Sequence, residues 1–187
     1  MFIKERMKRY MSLLNRFPKR EQIISVYAVG VTILYFWAAL NAVKDFISNW
    51  SLYLNISEML GLFSYIMAGT FLESLLLIFA LLFISFILPQ KVFADKFIVR
   101  GTTLTITFLG SIMYLYQLTL TFGILENIGK WSIFFAISTF VFMLLGGLSQ
   151  FFTRIVEAIA DRCIVFLYIY PPLSLVSMIV IFARNVS

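Results

Sequence analysis

The sequence predicts an all-α polytopic membrane protein, a bundle of about five transmembrane helices that forms one membrane domain over residues 1–187. Of its 187 residues, 61% are hydrophobic and 13% are charged. A soluble domain typically carries about 25% charged residues. A chain this small cannot bury so much apolar surface from water, because its surface is large relative to its volume. Lipid is therefore the expected solvent.

Five stretches are long and apolar enough to cross the hydrocarbon core, which requires about 20 residues of helix for a thickness of ~30 Å. Backbone groups in lipid must hydrogen-bond within their own segment, so continuously apolar stretches are expected to be helices. The expected spans are residues 22–43, 63–88, 101–122, 131–148 and 163–183.

The distribution of lysine and arginine predicts the orientation. Twelve of the 15 basic residues fall in the segment 1–21, in the loop before the third span and in the linker before the fifth span, all on one side of the membrane. Cytoplasmic loops are the ones enriched in these residues. We therefore expect a cytoplasmic N-terminus and, after five crossings, an external C-terminus.

Two segments are predicted to lie on the membrane as interfacial amphipathic helices. Residues 1–21 place apolar side chains at helical spacing among seven basic residues, and we expect them to contact anionic lipid headgroups. In residues 150–162, a stripe made of Phe151, Ile155 and Ile159 opposes a charged face. Because the cations flank apolar spans, lipid rather than nucleic acid is the expected partner of the net charge of +6.

Glu73 is the only ionisable acid or base well inside a predicted span, and an acid at such a position is costly and commonly functional. Helix rise places Gln117 at the depth of Glu73, and Asn41 one turn nearer the outer surface. Gln117 shares a polar stripe with Tyr114 on the third span. We expect Asn41, Glu73, Tyr114 and Gln117 to form one polar cluster. The alternative is structural, because such groups also hold helices together.

Pro171 and Pro172 stand near the middle of the fifth predicted span. Two consecutive prolines remove two backbone donors, so the helix is expected to kink or break there. Broken helices line substrate cavities in transporters, whereas a static kink only improves packing. The sequence leaves both interpretations open.

The composition excludes several classes of activity. The chain has no histidine and one cysteine, Cys163, which removes histidine-based acid–base catalysis, most zinc sites and an intrachain disulfide. The sequence contains no paired carboxylates, no Cys/His ligand cluster and no phosphate-binding glycine loop. We therefore expect a non-enzymatic protein that binds neither a cofactor nor a metal.

The expected function is that of a non-catalytic accessory or scaffolding subunit of a membrane complex, which needs only apolar faces and small-residue contacts. The alternative is a small homo-oligomeric channel or transporter that uses Glu73 and the polar face of the third span. Five helices make a thin bundle, so a conduction path would require several copies. The lack of histidine, the single cysteine and the absence of a cleavable signal suit a prokaryotic plasma membrane.

Overall fold

A computed structural model describes residues 18–88, 93–122, 128–146 and 149–186 of the chain. Within these ranges the structure is helical and contains no strand, which confirms the predicted all-α fold. The helices are α1 (Arg20–Asp45), α2 (Ile56–Ile87), α3 (Phe97–Phe122), α4 (Ile128–Gly146), α5 (Gln150–Leu167) and α6 (Tyr170–Val186). Residues 1–17, most of the predicted basic amphipathic segment, lie outside the described residues.

Four helical segments of the described chain are long and apolar enough to cross a membrane. They are Arg20–Tyr53, Ile56–Ile87, Phe97–Leu120 and Gln150–Val186. The predicted fourth span corresponds to α4, whose apolar part, Trp131–Leu144, is shorter. The whole of α4 has 19 residues, a length of about 28 Å. Helix α4 is therefore the counterpart of the predicted fourth span.

Helix α1 is the central helix of the bundle. It packs against α2, α3 and α5, while α6 packs mainly on α2 and α4 mainly on α3. Two glycines allow close approach to α1: a Cβ added at Gly30 would lie 2.6 Å from the Leu77 side chain of α2, and one added at Gly101 would lie 3.2 Å from Val26. Small residues are what bring helices together in lipid, where no hydrophobic force drives them to associate.

One apolar cluster marks one end of the bundle. It contains Val26, Leu81, Phe97 and Met143, and so brings together the start of α1, the end of α2, the start of α3 and the end of α4. At the other end, Arg184 of α6 donates a hydrogen bond of 2.7 Å to the carbonyl oxygen of Ser57, near the start of α2. Helices α1 and α2, and helices α3 and α4, are therefore antiparallel.

The connection between α1 and α2 continues the helix before it turns. A π-helical segment, Phe46–Trp50, and a helical turn, Ser51–Tyr53, follow α1 directly. The helix is interrupted at residues 54–55. The side chain of Asn55 caps α2 by accepting a hydrogen bond of 3.0 Å from the backbone N–H of Glu58. The Glu58 carboxylate in turn accepts the backbone N–H of Asn55 at 2.9 Å. This reciprocal capping box fixes where α2 begins.

The predicted break in the last span is present. Helix α5 ends at Leu167, a turn follows at residues 168–169, and Pro171 and Pro172 lie in the first turn of α6. Backbone N–H groups in the first turn of a helix have no partner within the helix, so prolines are tolerated there. The break therefore comes just before the prolines rather than at them.

Helix α5 packs through its small residues rather than through its bulky stripe. Val156 and Ala160, one turn apart, are buried in a helix that packs against α1 and α3. Phe151, Ile155 and Ile159, which the sequence suggests as the apolar stripe, are exposed. Small side chains permit the closest helix approach, which leaves the bulky stripe on the outer surface of the bundle.

Candidate functional site

A cavity of about 610 Å³ lies between α1, α2 and α3. Its volume falls within the range of small-molecule sites, about 300–1,000 Å³. Its wall is mainly apolar and contains one ionisable acid. It is lined by Leu34, Trp37, Asn41, Glu73, Leu76, Leu77, Ala80, Phe108, Leu109, Ile112, Met113 and Tyr116.

Glu73 reaches this cavity because of the way α2 is rotated. Ser74, the next residue, is fully buried and shares a hydrogen bond of 3.1 Å with the hydroxyl of Tyr27 on α1. That contact turns Ser74 toward α1 and leaves Glu73 exposed on the adjacent face. In the described part of the chain, no side chain forms a hydrogen bond or an ion pair with the Glu73 carboxylate. The fold therefore leaves this carboxylate open to the cavity.

Asn41 lines the same cavity from α1, as the sequence predicts for a partner of Glu73. Its amide Nδ2 donates a hydrogen bond of 2.9 Å to the carbonyl oxygen of Trp37, one turn earlier. Trp37 also lines the cavity, and its ring meets that of Tyr116 on α3 edge to face, with centroids 6.3 Å apart. Asn41, Trp37 and Tyr116 therefore form one wall around the carboxylate.

Tyr114 and Gln117 lie elsewhere. Tyr114 contacts Phe135 of α4 edge to face, at a centroid distance of 5.8 Å. Gln117 is exposed and does not line the cavity. The cavity face of α3 consists of residues at helical spacing, Phe108, Ile112 and Tyr116. The structure thus brings together two of the four predicted cluster residues, Asn41 and Glu73, and adds Trp37 and Tyr116.

The sequence does contain a signal for the aromatic wall. Trp37 precedes Asn41 by four residues and Tyr116 follows Ile112 by four, so each ring lies one turn from another cavity residue. Aromatic rings near a span end are also what the membrane interface selects, so this spacing alone does not distinguish a cavity wall from interfacial residues.

The polar stripe of α3 lines a second feature, a groove of about 290 Å³ between α3 and α4. We call it the α3–α4 groove; α3 contributes Ile106, Thr107, Gly110, Ser111 and Tyr114, and α4 contributes Phe135, Ser138, Thr139 and Phe142. The hydroxyl of Thr107 donates to the Thr103 carbonyl at 2.8 Å, and that of Ser111 donates to the Thr107 carbonyl at 2.6 Å. The hydroxyl protons of Thr107 and Ser111 are therefore used within α3 itself.

The hydroxyls near the helix break connect α6 to the core. Tyr35, fully buried on α1, shares a hydrogen bond with Ser174 of α6. Its ring also stacks on that of Tyr170 at 4.6 Å, and Tyr170 in turn stacks on Phe166 of α5. This aromatic stack runs across the break at residues 168–169. Pro171 and Pro172 therefore belong to a junction that is packed on α1 and not to the cavity.

Among the described residues, there is no group of three or more His, Cys, Asp or Glu side chains that could hold a metal ion. Cys163 is a free, partly buried thiol on α5. The cavity at Glu73 thus combines a volume suited to a ligand with an open charged group.

Comparison with known proteins gives no relative from which a role could be transferred. The chain matches no protein-family model, no curated protein and no solved structure.

Proposed function

We propose that this chain is a non-catalytic accessory or scaffolding subunit of a membrane complex, and that its partner packs into the α3–α4 groove. The observation that carries this proposal is Gly110, which is exposed on the groove face of α3. A Cβ added at this position would have no atom within 4 Å. The backbone of α3 is therefore open to close approach from outside the chain.

The chemistry of the groove suits helix packing. Helices associate in lipid through small residues that let backbones come close, and through hydroxyl and amide groups. The groove offers Gly110, Ser111 and Ser138 together. The hydroxyls of Thr107 and Ser111 donate within α3, so a partner helix can pack over these two groups without leaving their protons unsatisfied.

The separation of the groove from Glu73 also favours the subunit role over conduction. A channel that used both Glu73 and the polar face of α3 would need them on one path. Glu73 lies in the cavity with Phe108 and Tyr116, whereas Thr107 and Ser111 lie in the groove. The two sets of polar groups thus do not line a common passage in a single chain.

A small homo-oligomeric channel or transporter is the second candidate function. The observation that favours a channel or transporter is that Glu73 and Asn41 line the same cavity. An acid inside a membrane span is commonly functional, and several copies would be needed to enclose a path.

We further propose that the N-terminus is cytoplasmic and the C-terminus external, in a prokaryotic plasma membrane, with residues 1–21 on anionic headgroups. The charge distribution supports this orientation. Lys19 and Arg20 lie at the start of α1, and Lys96 lies just before the start of α3. Both helix starts are at the same end of the bundle, whereas Arg184 lies at the opposite end.

The test of the subunit role is the native mass of the protein extracted in mild detergent, with every co-purifying chain identified. We expect a foreign membrane protein in fixed stoichiometry with this chain. Gly110→Leu should lower its recovery at least about tenfold, the loss that corresponds to 1.4 kcal/mol.

Gly69→Leu is the matched control. Gly69 lies on α2, and an added Cβ there also meets no atom within 4 Å, so both substitutions add the same side chain to an open helix surface. Gly69→Leu should leave recovery unchanged. Equal recovery of the partner with Gly110→Leu would contradict the groove as its site. A symmetric oligomer of this chain alone would favour the channel or transporter.

A further inference from the structure

We infer that the cavity at Glu73 binds a lipophilic organic cation, meaning a molecule with a single positive charge and an apolar body. This inference goes beyond the subunit role and does not depend on it, because the cavity and the α3–α4 groove are lined by different residues. Three properties of the cavity carry it: its charge, its aromatic wall and its size.

The charge of the ligand follows from Glu73. It is the only acidic or basic residue in the cavity wall, and in the described part of the chain its carboxylate has no hydrogen-bonding or ionic partner. A carboxylate amid apolar groups is costly unless it is paired. A bound cation would supply that pairing, whereas an anion would be repelled.

The aromatic wall favours an organic cation over a metal ion. Trp37, Phe108 and Tyr116 line the cavity beside the carboxylate, and aromatic rings attract ammonium-type cations through their quadrupoles, with tryptophan the strongest. Calcium or magnesium would require about six oxygen ligands. The charged and amide oxygens available here are those of Glu73 and Asn41.

The size of the cavity favours a compact ligand over a partner helix. Its volume of about 610 Å³ is that of a small-molecule site. Along α2 its lining runs from Glu73 to Ala80, a length of about 10 Å. A transmembrane helix extends over ~30 Å and is about 10 Å across, so the cavity could hold a few of its side chains but not the helix itself.

The apolar part of the lining is suited to the body of such a ligand. Leu76, Leu77, Ile112 and Met113 surround the space next to the charged and aromatic groups. Methionine is flexible and polarizable and adapts to irregular shapes. The site is therefore expected to select for charge and apolar bulk.

The test measures equilibrium binding of tetraphenylphosphonium to the purified full chain in lipid nanodiscs, after subtraction of binding to empty nanodiscs. Tetraphenylborate, which has the same shape and the opposite charge, is the control ligand. We expect saturable binding of the cation and no saturable binding of the anion. Glu73→Gln should weaken cation binding at least about tenfold, because it removes a charged partner from an apolar site.

Two further variants locate the site. Glu58→Gln removes an acid from the same helix outside the cavity, and glutamine also serves at this capping-box position, so binding should be unchanged. Ala80→Phe places a ring in the cavity and keeps the carboxylate, so binding should be lost. If Glu73→Gln fails to fold, Ala80→Phe tests the site instead. Unchanged cation binding by Ala80→Phe would show that the ligand binds outside the cavity.

Three results would overturn the inference: no saturable cation binding by the unmodified chain, equal binding by Glu73→Gln, or equal saturable binding of the anion. Loss of a co-purifying partner from Glu73→Gln, together with no cation binding by the unmodified chain, would identify the occupant as a side chain of that partner. Recovery of the partner by Gly110→Leu is measured without the cation, so failure of cation binding and failure of the subunit proposal remain distinguishable.

Discussion

Helix α3 presents two faces that differ in what the fold leaves unsatisfied. The face toward α4 carries the stripe with Thr107 and Ser111, and its hydroxyls donate to carbonyls of α3 itself. The face toward the cavity is aromatic and aliphatic, but it lies opposite Glu73, whose carboxylate has no partner among the described residues. On the more polar face, the Thr107 and Ser111 hydroxyls thus have acceptors within the helix, which suits packing. The more apolar face borders an open charge, which suits ligand binding.

The largest effect expected from this difference concerns two glycines of α3. Gly101 packs against Val26, which is fully buried and whose carbons would lie 3.2 Å from an added Cβ. Valine is stiff at χ1, so Gly101→Leu should lower the free energy of unfolding by about 1–3 kcal/mol through overpacking. Gly110→Leu, on the groove face, should leave stability unchanged. Thermal unfolding of both variants in the same detergent checks this, and equal destabilisation would mean that the groove is closed within the chain.

Glu73→Leu distinguishes a structural role of Glu73 from a role in ligand binding. Since its carboxylate has no described partner, Glu73→Leu should not lower the free energy of unfolding, although it should abolish binding of a lipophilic cation. A leucine here replaces an unpaired acid with an apolar group among apolar neighbours, which removes the cost of the charge. Chemical denaturation of the variant next to the unmodified chain measures this. A marked loss of stability would show that Glu73 holds the helices together.

The smallest effect is expected in the polar stripe. Thr107→Val and Ser111→Ala remove hydroxyls that bond within α3, so each should change the free energy of unfolding by no more than about 0.6 kcal/mol, the mean value of hydrogen bonds in membrane helices. The same unfolding assay applies, with Tyr35→Phe as a reference. That change breaks a buried bond between α1 and α6 and should cost about 1 kcal/mol. A larger loss from Thr107→Val than from Tyr35→Phe would contradict the idea that the stripe is satisfied internally.

Periodicity and length predict much of this fold. The helices, the break near Pro171 and Pro172, and the placement of Glu73 with Asn41 all follow from runs of apolar residues and from helix rise along the chain. Helix rise gives the depth of a residue but not the direction in which it points around its helix. That is why Gln117 can share the depth of Glu73 by its rise and yet not line the cavity.

The rotation of α3 is set by packing that the sequence does not display. Gly101 lies against Val26 of α1, and Phe108 and Ile112 follow it on the same side of the helix, each within about 20° of it at about 100° per residue. Tyr114 and Gln117 are turned away from that side, and Tyr114 meets Phe135. A single glycine at one end of the helix thus decides which face borders Glu73. Likewise, the outward position of Phe151 and Ile155 follows from the close fit of Val156 and Ala160.

If the cavity and the groove serve separate purposes, a substitution in one should not affect the function of the other. One paired measurement tests this independence. Glu73→Gln and Gly110→Leu are each assayed for tetraphenylphosphonium binding in nanodiscs and for recovery of the native complex in mild detergent. We expect Glu73→Gln to lose cation binding and retain the partner, and Gly110→Leu to lose the partner and retain cation binding. Loss of both properties in either variant would show that the two features form one site and would contradict this account.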